Sequence, residues 1–351
     1  MDAYGGKSVT ALGMASQFRG CGVQFAYGKP LNIAENKQEV LEADREVAFV
    51  CESLNLDASQ FFPTVLTLTP EAMHEWMTTA KPMQGRIKLL EAAATLQEVD
   101  VLLLEGPSTM SEGTLCGLSL LQQAEALEAH VLLVTRCHSS AAVDTLLCAK
   151  SILGDRLLGV VLNDIPESFT KTVQQTLVPF LEQQNILVFG QIPRHRLLRS
   201  ISVRELKRQL NAELLCGGER LDLMVEQLKI GAMNVNSALR FFNKGSNMAV
   251  VTGGDRTDIQ LAALESSTHC LILTGHFLPN SIVIQRAEDL EIPILSVDLD
   301  TLTTVEIVDR AFDQARLTES IKVDCIQHLF SEYADSQRLL KLLGLQPSLA
   351  L

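Results

Sequence analysis

Gly5, Gly6, Lys7 and Ser8 stand in immediate succession near the start of the chain, and together they carry phosphate chemistry. In the pattern G-x-x-x-x-G-K-[ST], backbone N–H groups surround an anion, the lysine reaches the outer phosphates and the hydroxyl joins a magnesium shell. Gly6, Lys7 and Ser8 fill the last three positions, while Met1 stands where the first glycine belongs. The stretch SVTALGMASQFRG then supplies a helix whose positive end lies beneath the anion. The alternative is a plain glycine turn ahead of a surface helix.

Further residues of the same chemistry follow at the ends of apolar runs. Gly28-Lys29-Pro30 comes directly after VQFAY, and Glu105-Gly106-Pro107 closes VDVLLLE. An acid at the end of a buried strand is disfavoured unless it pairs or binds a cation, so Glu105 is a candidate magnesium ligand. Asp44, in the acidic run ENKQEVLEADREVAF, is either a second ligand or a solvated helix charge. Asn163 ends LLGVVLN, where it either reads a base edge or makes a turn. In the second half, Gly253-Gly254-Asp255-Arg256 follows MAVVTGG. Either Asp255 caps the next helix and the glycines permit a tight turn, or the free N–H groups and Arg256 hold an anionic ligand. His276 in LTGHFLP lines the same crevice or faces solvent.

Composition narrows the classes. The chain has 351 residues, 47% hydrophobic and 20% charged, enough for two domains with cores of their own. A net charge of −13 opposes nonspecific binding to nucleic acid or anionic membranes, which needs a basic face. Apolar runs such as VLLV and LLGVVL are strand-length, so no membrane span is expected. The eight cysteines are scattered without a C-x-x-C pair and the seven histidines are dispersed, which fits reduced cytoplasmic thiols and no zinc site.

The elements that must position these residues alternate. Strands are expected at 23–27, 99–105, 130–135, 157–163 and 185–190, with helices at 85–97, 140–153 and 167–184 between them. Apolar strands separated by crossover helices make a mainly parallel α/β sheet, whose ligands bind beyond the carboxyl ends of the strands. A second alternation places strands at 212–216, 248–254, 269–275 and 292–298, and helices at 220–228, 234–242, 256–266, 280–289 and 302–314. The expected division is a first domain over 1–203, a second over 204–320 and a helical C-terminal tail over 321–351.

The succession GGKS, YGKP, LLLEGP, GVVLN and FGQIPR resembles the dethiobiotin synthetase-like P-loop fold, in the version found in the N-terminal region of long phosphotransacetylases. VVTGGDRTDIQLAALE resembles the signature of the DRTGG domain, and LTGHFLPNSIVIQRAEDLEIPILSVDLDTLTTVE its continuation. The resemblance covers roughly residues 1–320 and stops short of an acetyltransferase domain, so acetyl transfer is not expected. It implies ATP or another nucleoside triphosphate with Mg2+. Gly5, Gly6, Lys7 and Ser8 would lie at the phosphates, Ser8, Glu105 and Asp44 at the metal, and Asn163 near the base. Lys29 matches a lysine that faces substrate and phosphates. Leu31-Asn32 after Lys-Pro, and PSTMSEG after the acid, depart from the synthetase pattern where an organic substrate would sit.

A nucleotide-binding regulatory or sensing protein with weak or no ATPase activity is therefore expected. Its partners would be a nucleotide, a metabolic enzyme and a second copy of the chain. The rivals are an ATP-dependent carboxylate–amine or amide ligase, acting through Lys7 and Lys29, and a nucleotide-free interaction scaffold. A sheet of this class places its first strand centrally, yet no strand pattern precedes Gly5. Either the native start lies upstream, or the loop is a relic and another segment or subunit fills the gap.

Overall fold

Short Val/Leu/Ile runs ended by Gly, Pro or Asn become the strands, and the longer amphipathic stretches between them become the helices. The computed structural model describes residues 5–34, 37–79, 84–96, 99–275, 277–313, 317 and 319–345. They belong to two units, Met1–Arg194 with Arg316–Leu351, and His195–Ala315.

The first unit begins with helix α1 (Lys7–Gly20), followed by β1 (Phe25–Gly28), β2 (Leu31–Ile33), α2 (Lys37–Ser53), β3 (Phe61–Phe62) and β4 (Leu66–Leu68). Next come α3 (Pro70–Thr79), α4 (Gly85–Ala94), β5 (Val101–Leu104), α5 (Leu120–Ala126), β6 (Val131–Arg136), α6 (Ala142–Leu153) and β7 (Leu157–Ile165). A helical run of α7 (Thr170–Thr172), a π turn (Val173–Leu177) and α8 (Val178–Gln183) leads to β8 (Leu187–Pro193). The sequence pattern implied one helix over that run. Pro179 has no N–H to return to the carbonyl four residues back, and the wider π turn sits beside it. The strands form parallel groups in the orders β3-β1-β5, β6-β7-β8 and β2-β4. Strands β2, β3 and β4 escaped sequence recognition because two or three residues show no period.

The second unit carries β9 (Ile201–Ser202), α9 (Val203–Gln209), β10 (Glu213–Cys216), β11 (Met224–Val225), β12 (Gln227–Ile230) and α10 (Val235–Phe242). It continues with β13 (Met248–Gly253), α11 (Thr257–Leu264), β14 (Thr268–Thr274), α12 (Ser281–Asp289), β15 (Ile294–Val297) and α13 (Thr301–Asp313). Its main sheet runs β10-β15-β14-β13-β12, parallel except for the β10–β15 pair. Alternate strand residues feed two cores. Val251, Ile272 and Leu295 pack with Val203 and Val308, and Val250, Leu271 and Leu273 pack with Phe242, Ile259 and Val283. The helix expected over 220–228 is absent. Its second half instead holds β11 and the start of β12, because Met224 and Val225 pair with Ser202 and Ile201 and Gln227 pairs with Met248.

The C-terminal helices α14 (Ser320–Tyr333) and α15 (Ser336–Leu342) return to the first unit. Ala334 bridges to Gly190, the Asp335 amide donates to the Phe189 carbonyl at 2.7 Å, and Arg338 pairs with Glu182 at 2.7 Å. Gly13 of α1 lies against the Phe330 ring of α14, so close that a Cβ there would stand 2.3 Å from it. Among the described residues no helix is long and apolar enough to cross a membrane.

Candidate functional site

Gly6 opens α1 in the left-handed region, at φ 92°, and the Thr10 amide donates to its carbonyl at 2.9 Å. A Cβ there would stand 2.0 Å from Asn163 Nδ2, so glycine is required by both conformation and room. Asn163 Nδ2 donates to the Gly5 carbonyl at 3.1 Å. Asn163 is thus a strut between the end of β7 and the glycine turn, and its amide group lies against backbone.

Two residues further, Ser8 Oγ donates to Glu105 Oε2 at 3.1 Å. The Tyr27 hydroxyl donates to Glu105 Oε1 at 2.5 Å. Glu105 follows β5 and Tyr27 lies on β1, and the two strands pair in parallel. Both side chains are buried. Burial, with the charge of Glu46, pushes the Glu105 carboxyl above its ordinary range, while Lys29, the Tyr27 hydroxyl and Lys7 pull it back. The Tyr27 phenol is pushed well up, by burial and then by Glu105. Lys7 is pushed down by burial, against the attraction of Glu105 and with the repulsion of Lys29.

The fold thereby draws Lys7, Ser8, Lys29 and Glu105 into one electrostatic neighbourhood. Asp44 is exposed on α2, and the acid of that helix whose charge reaches Lys7, Tyr27 and Glu105 is Glu46. Its Oε1 also accepts from the Leu317 amide at 3.4 Å. Glu112, in the loop after β5, also attracts Lys7, and it accepts from the Ser108 and Thr109 amides at 2.6 and 3.1 Å. Sequence reasoning missed Tyr27, Glu46 and Glu112. A tyrosine inside an apolar strand reads as core, although its hydroxyl needs a buried partner. For Glu46, the spacing from Ala43, Val47 and Val50 on the buried side of α2 was the available signal.

A hydroxyl and a carboxylate side by side form a hard-oxygen donor set, so Ser8 and Glu105 fit a magnesium ion. Among the described residues no group of three or more His, Cys, Asp or Glu side chains converges as a metal cluster. Such an ion would therefore need phosphate oxygens and water to complete its shell.

In the second unit the GGDRTD turn departs from the expected cap. Arg256 occupies the N-cap position of α11 without a capping side-chain hydrogen bond, and Asp255 stands one residue outside it. The glycines serve close approach. A Cβ on Gly254 would meet the Phe277 carbonyl at 2.4 Å, and one on Gly253 would meet Asp255 Oδ1 at 2.5 Å. Buried Gln260 locks the turn from below, its Nε2 donating to the Gly253 and Gly254 carbonyls at 2.9 and 3.0 Å. Arg256 donates to the Met233 carbonyl at 2.9 Å and pairs with Asp258 at 3.3 Å. His276 lies outside the described residues.

The profile of the AAA domain family matches residues 1–202, and that of the DRTGG domain matches residues 205–311. Similarity extends to the N-terminal region of phosphate acetyltransferases. The Synechocystis sp. enzyme is 25% identical over 279 residues, 72% of this chain and 39% of that protein. The Nitratidesulfovibrio vulgaris enzyme is 30% identical over 165 residues, 44% of this chain and 23% of that protein. The uncharacterised protein YtoI of Bacillus subtilis is 30% identical over 130 residues, 37% of this chain and 29% of that protein. The chain thus spans well under half the length of these relatives. A solved structure of the CBS and DRTGG domains of the Clostridium perfringens pyrophosphatase regulatory region, complexed with its activator diadenosine tetraphosphate, covers 50% of this chain and 74% of its own. Its TM-score is 0.29 at 18% identity.

Proposed function

Because the chain belongs to the AAA domain family and carries a DRTGG domain, we propose that it is a nucleotide-binding regulatory module related to the N-terminal region of phosphate acetyltransferases. The first unit takes ATP with Mg2+ and turns it over slowly or not at all. The observation that carries this reading is the grouping of Lys7, Ser8 and Glu105 behind the left-handed Gly6 turn. Gly5 and Gly6 present backbone N–H groups to the phosphates, Lys7 neutralises the outer ones, and Ser8 with Glu105 holds the cation. Magnesium, when bound, supplies positive charge between the phosphates and Glu105. Lys29 adds a second cation, and Glu46 offsets it from α2.

In the second unit, Gly253, Gly254, Asp255 and Arg256 form the ligand turn, with Gln260 as its brace. The partner regulated is a metabolic enzyme or a second copy of this chain. Titration calorimetry of MgATP against the wild type and Lys7→Ala tests the first unit. Binding that weakens at least about ten-fold in the variant, a loss of ~1.4 kcal/mol, agrees with it. Equal binding by both proteins, or by neither, refutes it.

A second reading rests on Lys29, whose charge acts on both Lys7 and Glu105. Two lysines over one phosphate path suit transfer of a phosphoryl group to a carboxylate substrate, as in an ATP-dependent ligase. Release of ADP stoichiometric with an added carboxylate and amine would favour that reading over a sensor.

A further inference from the structure

The end of α1 away from the phosphate turn borders a cleft of about 460 Å³. It lies wholly within the first unit, among α1, the end of α2 and α14. Ser16, one of its lining residues, comes nine residues after Lys7 on the same helix. A rise of about 1.5 Å per residue sets it roughly 13 Å along the axis from Lys7.

Helix α14 makes the cleft polar. Asp324, Gln327, His328 and Ser331 recur at i, i+3, i+4 and i+7, so they share one face of the helix, and that face lines the cleft. The opposite stripe of Lys322, Ile326, Leu329 and Phe330 is buried. Two of the four polar side chains are already engaged. His328 Nε2 lies 3.6 Å from Glu332, and Ser331 Oγ donates to the His328 carbonyl at 2.7 Å.

Opposite charges line the cleft without meeting. The Arg19 guanidinium stands 5.9 Å from the Phe25 ring centroid, and among the described residues neither Arg19 nor Asp324 has an ion-pair partner. The side chains of Gln17 and Gln327 are likewise without a hydrogen-bond partner there. The backbone adds to the acid. Helices α1 and α2 both end at the cleft, at Gly20 and Ser53, and a helix carboxyl end carries partial negative charge. The lining thus holds one fixed cation, and an acid reinforced by two helix ends.

We propose that this cleft is a binding site for a free polar α-amino acid, separate from the phosphate turn. The carboxylate of the amino acid pairs with Arg19, its ammonium with Asp324, and its polar side chain with the amides of Gln17 and Gln327. A zwitterion is the class of ligand that answers both charges. A plain anion would set like charge beside Asp324, and a plain cation would do so beside Arg19. The volume falls within the range of about 300–1,000 Å³ usual for small-molecule sites.

Ligand-observed NMR titration of the full chain tests it, in the absence of nucleotide. The probes are the standard amino acids, each up to about 10 mM, beside acetate and methylamine, which carry one charge each. Arg19→Gln and Asp324→Asn each remove one charge from an exposed position. The expected result is that a polar amino acid binds, that each variant weakens it at least about ten-fold, and that acetate and methylamine bind at least about ten-fold more weakly. Arg19→Lys keeps the charge and should keep most of the binding, which separates lost charge from lost fold. No binding by any of the amino acids would overturn the proposal. Binding that survives either charge-removing variant would also overturn it, by placing the ligand elsewhere. Acetate that binds as well as the amino acid would overturn it in favour of a plain anion site. With no nucleotide present, none of these outcomes bears on the MgATP reading.

Discussion

The Tyr27 hydroxyl donates to Glu105 Oε1 at 2.5 Å, from the strand next to the one that Glu105 ends. A buried phenol and a buried carboxylate thus satisfy each other, and the second carboxylate oxygen is left to Ser8.

Removing that donor should be felt. Tyr27→Phe keeps the ring but strips a hydrogen bond from a buried carboxylate, and its expected cost is about 1–3 kcal/mol of stability. Because the hydroxyl holds the Glu105 pKa down, the carboxyl should climb further in the variant. Urea titration checks the first effect, and an unchanged midpoint would contradict the pairing.

Glu105 makes stability depend on pH. Its folded pKa is raised by burial and by Glu46, so the folded state keeps the proton longer than the unfolded one. The contribution is complete below the ordinary carboxylate value of about 4.3 and is lost as pH rises through the raised value. Glu105→Gln cannot ionise. In metal-free buffer the variant should therefore gain on the wild type as pH rises from about 4 to 8. Parallel urea midpoints across that range would show that the carboxylate pays no such penalty.

Gly6→Ala meets two obstacles, a left-handed φ and the Asn163 amide. The conformation alone costs about 1–2 kcal/mol. A double-mutant cycle with Asn163→Ala separates the two terms. Asn163→Ala should recover part of the loss by removing the clash, and strict additivity would mean that the strut does not press on the turn.

Gly13→Ala tests the return of the C-terminal helices. The added methyl would stand 2.3 Å from the Phe330 ring. The expected destabilisation is about 1–3 kcal/mol, with partial rescue by Phe330→Leu. A thermal melt in which Gly13→Ala is neutral would mean that α14 does not rest on α1 in solution.

Much of this was legible before any coordinates. The alternation of apolar runs with helical stretches determined the α/β class. GGKS and GGDRTD marked the two turns, and Glu105 stood out as an acid closing an apolar strand. These features are local, since a helical or strand period and a glycine turn are written in consecutive residues. Tertiary structure decided what depends on pairing at a distance. It put strands at 224–225 and from 227 onward in place of a helix, through Ile201, Ser202 and Met248, and it brought α14 and α15 back to α1 across an intervening unit. It selected Glu46 over Asp44, two positions apart on one helix, because a helix turns about 100° per residue and so aims them at different surroundings. It spent Asn163 on the Gly5 carbonyl, and it set β1 beside β5 and β7 beside β6. Which buried charge meets which, and which strand lies beside which, are relations between segments far apart in the chain, and no stretch of sequence contains them by itself.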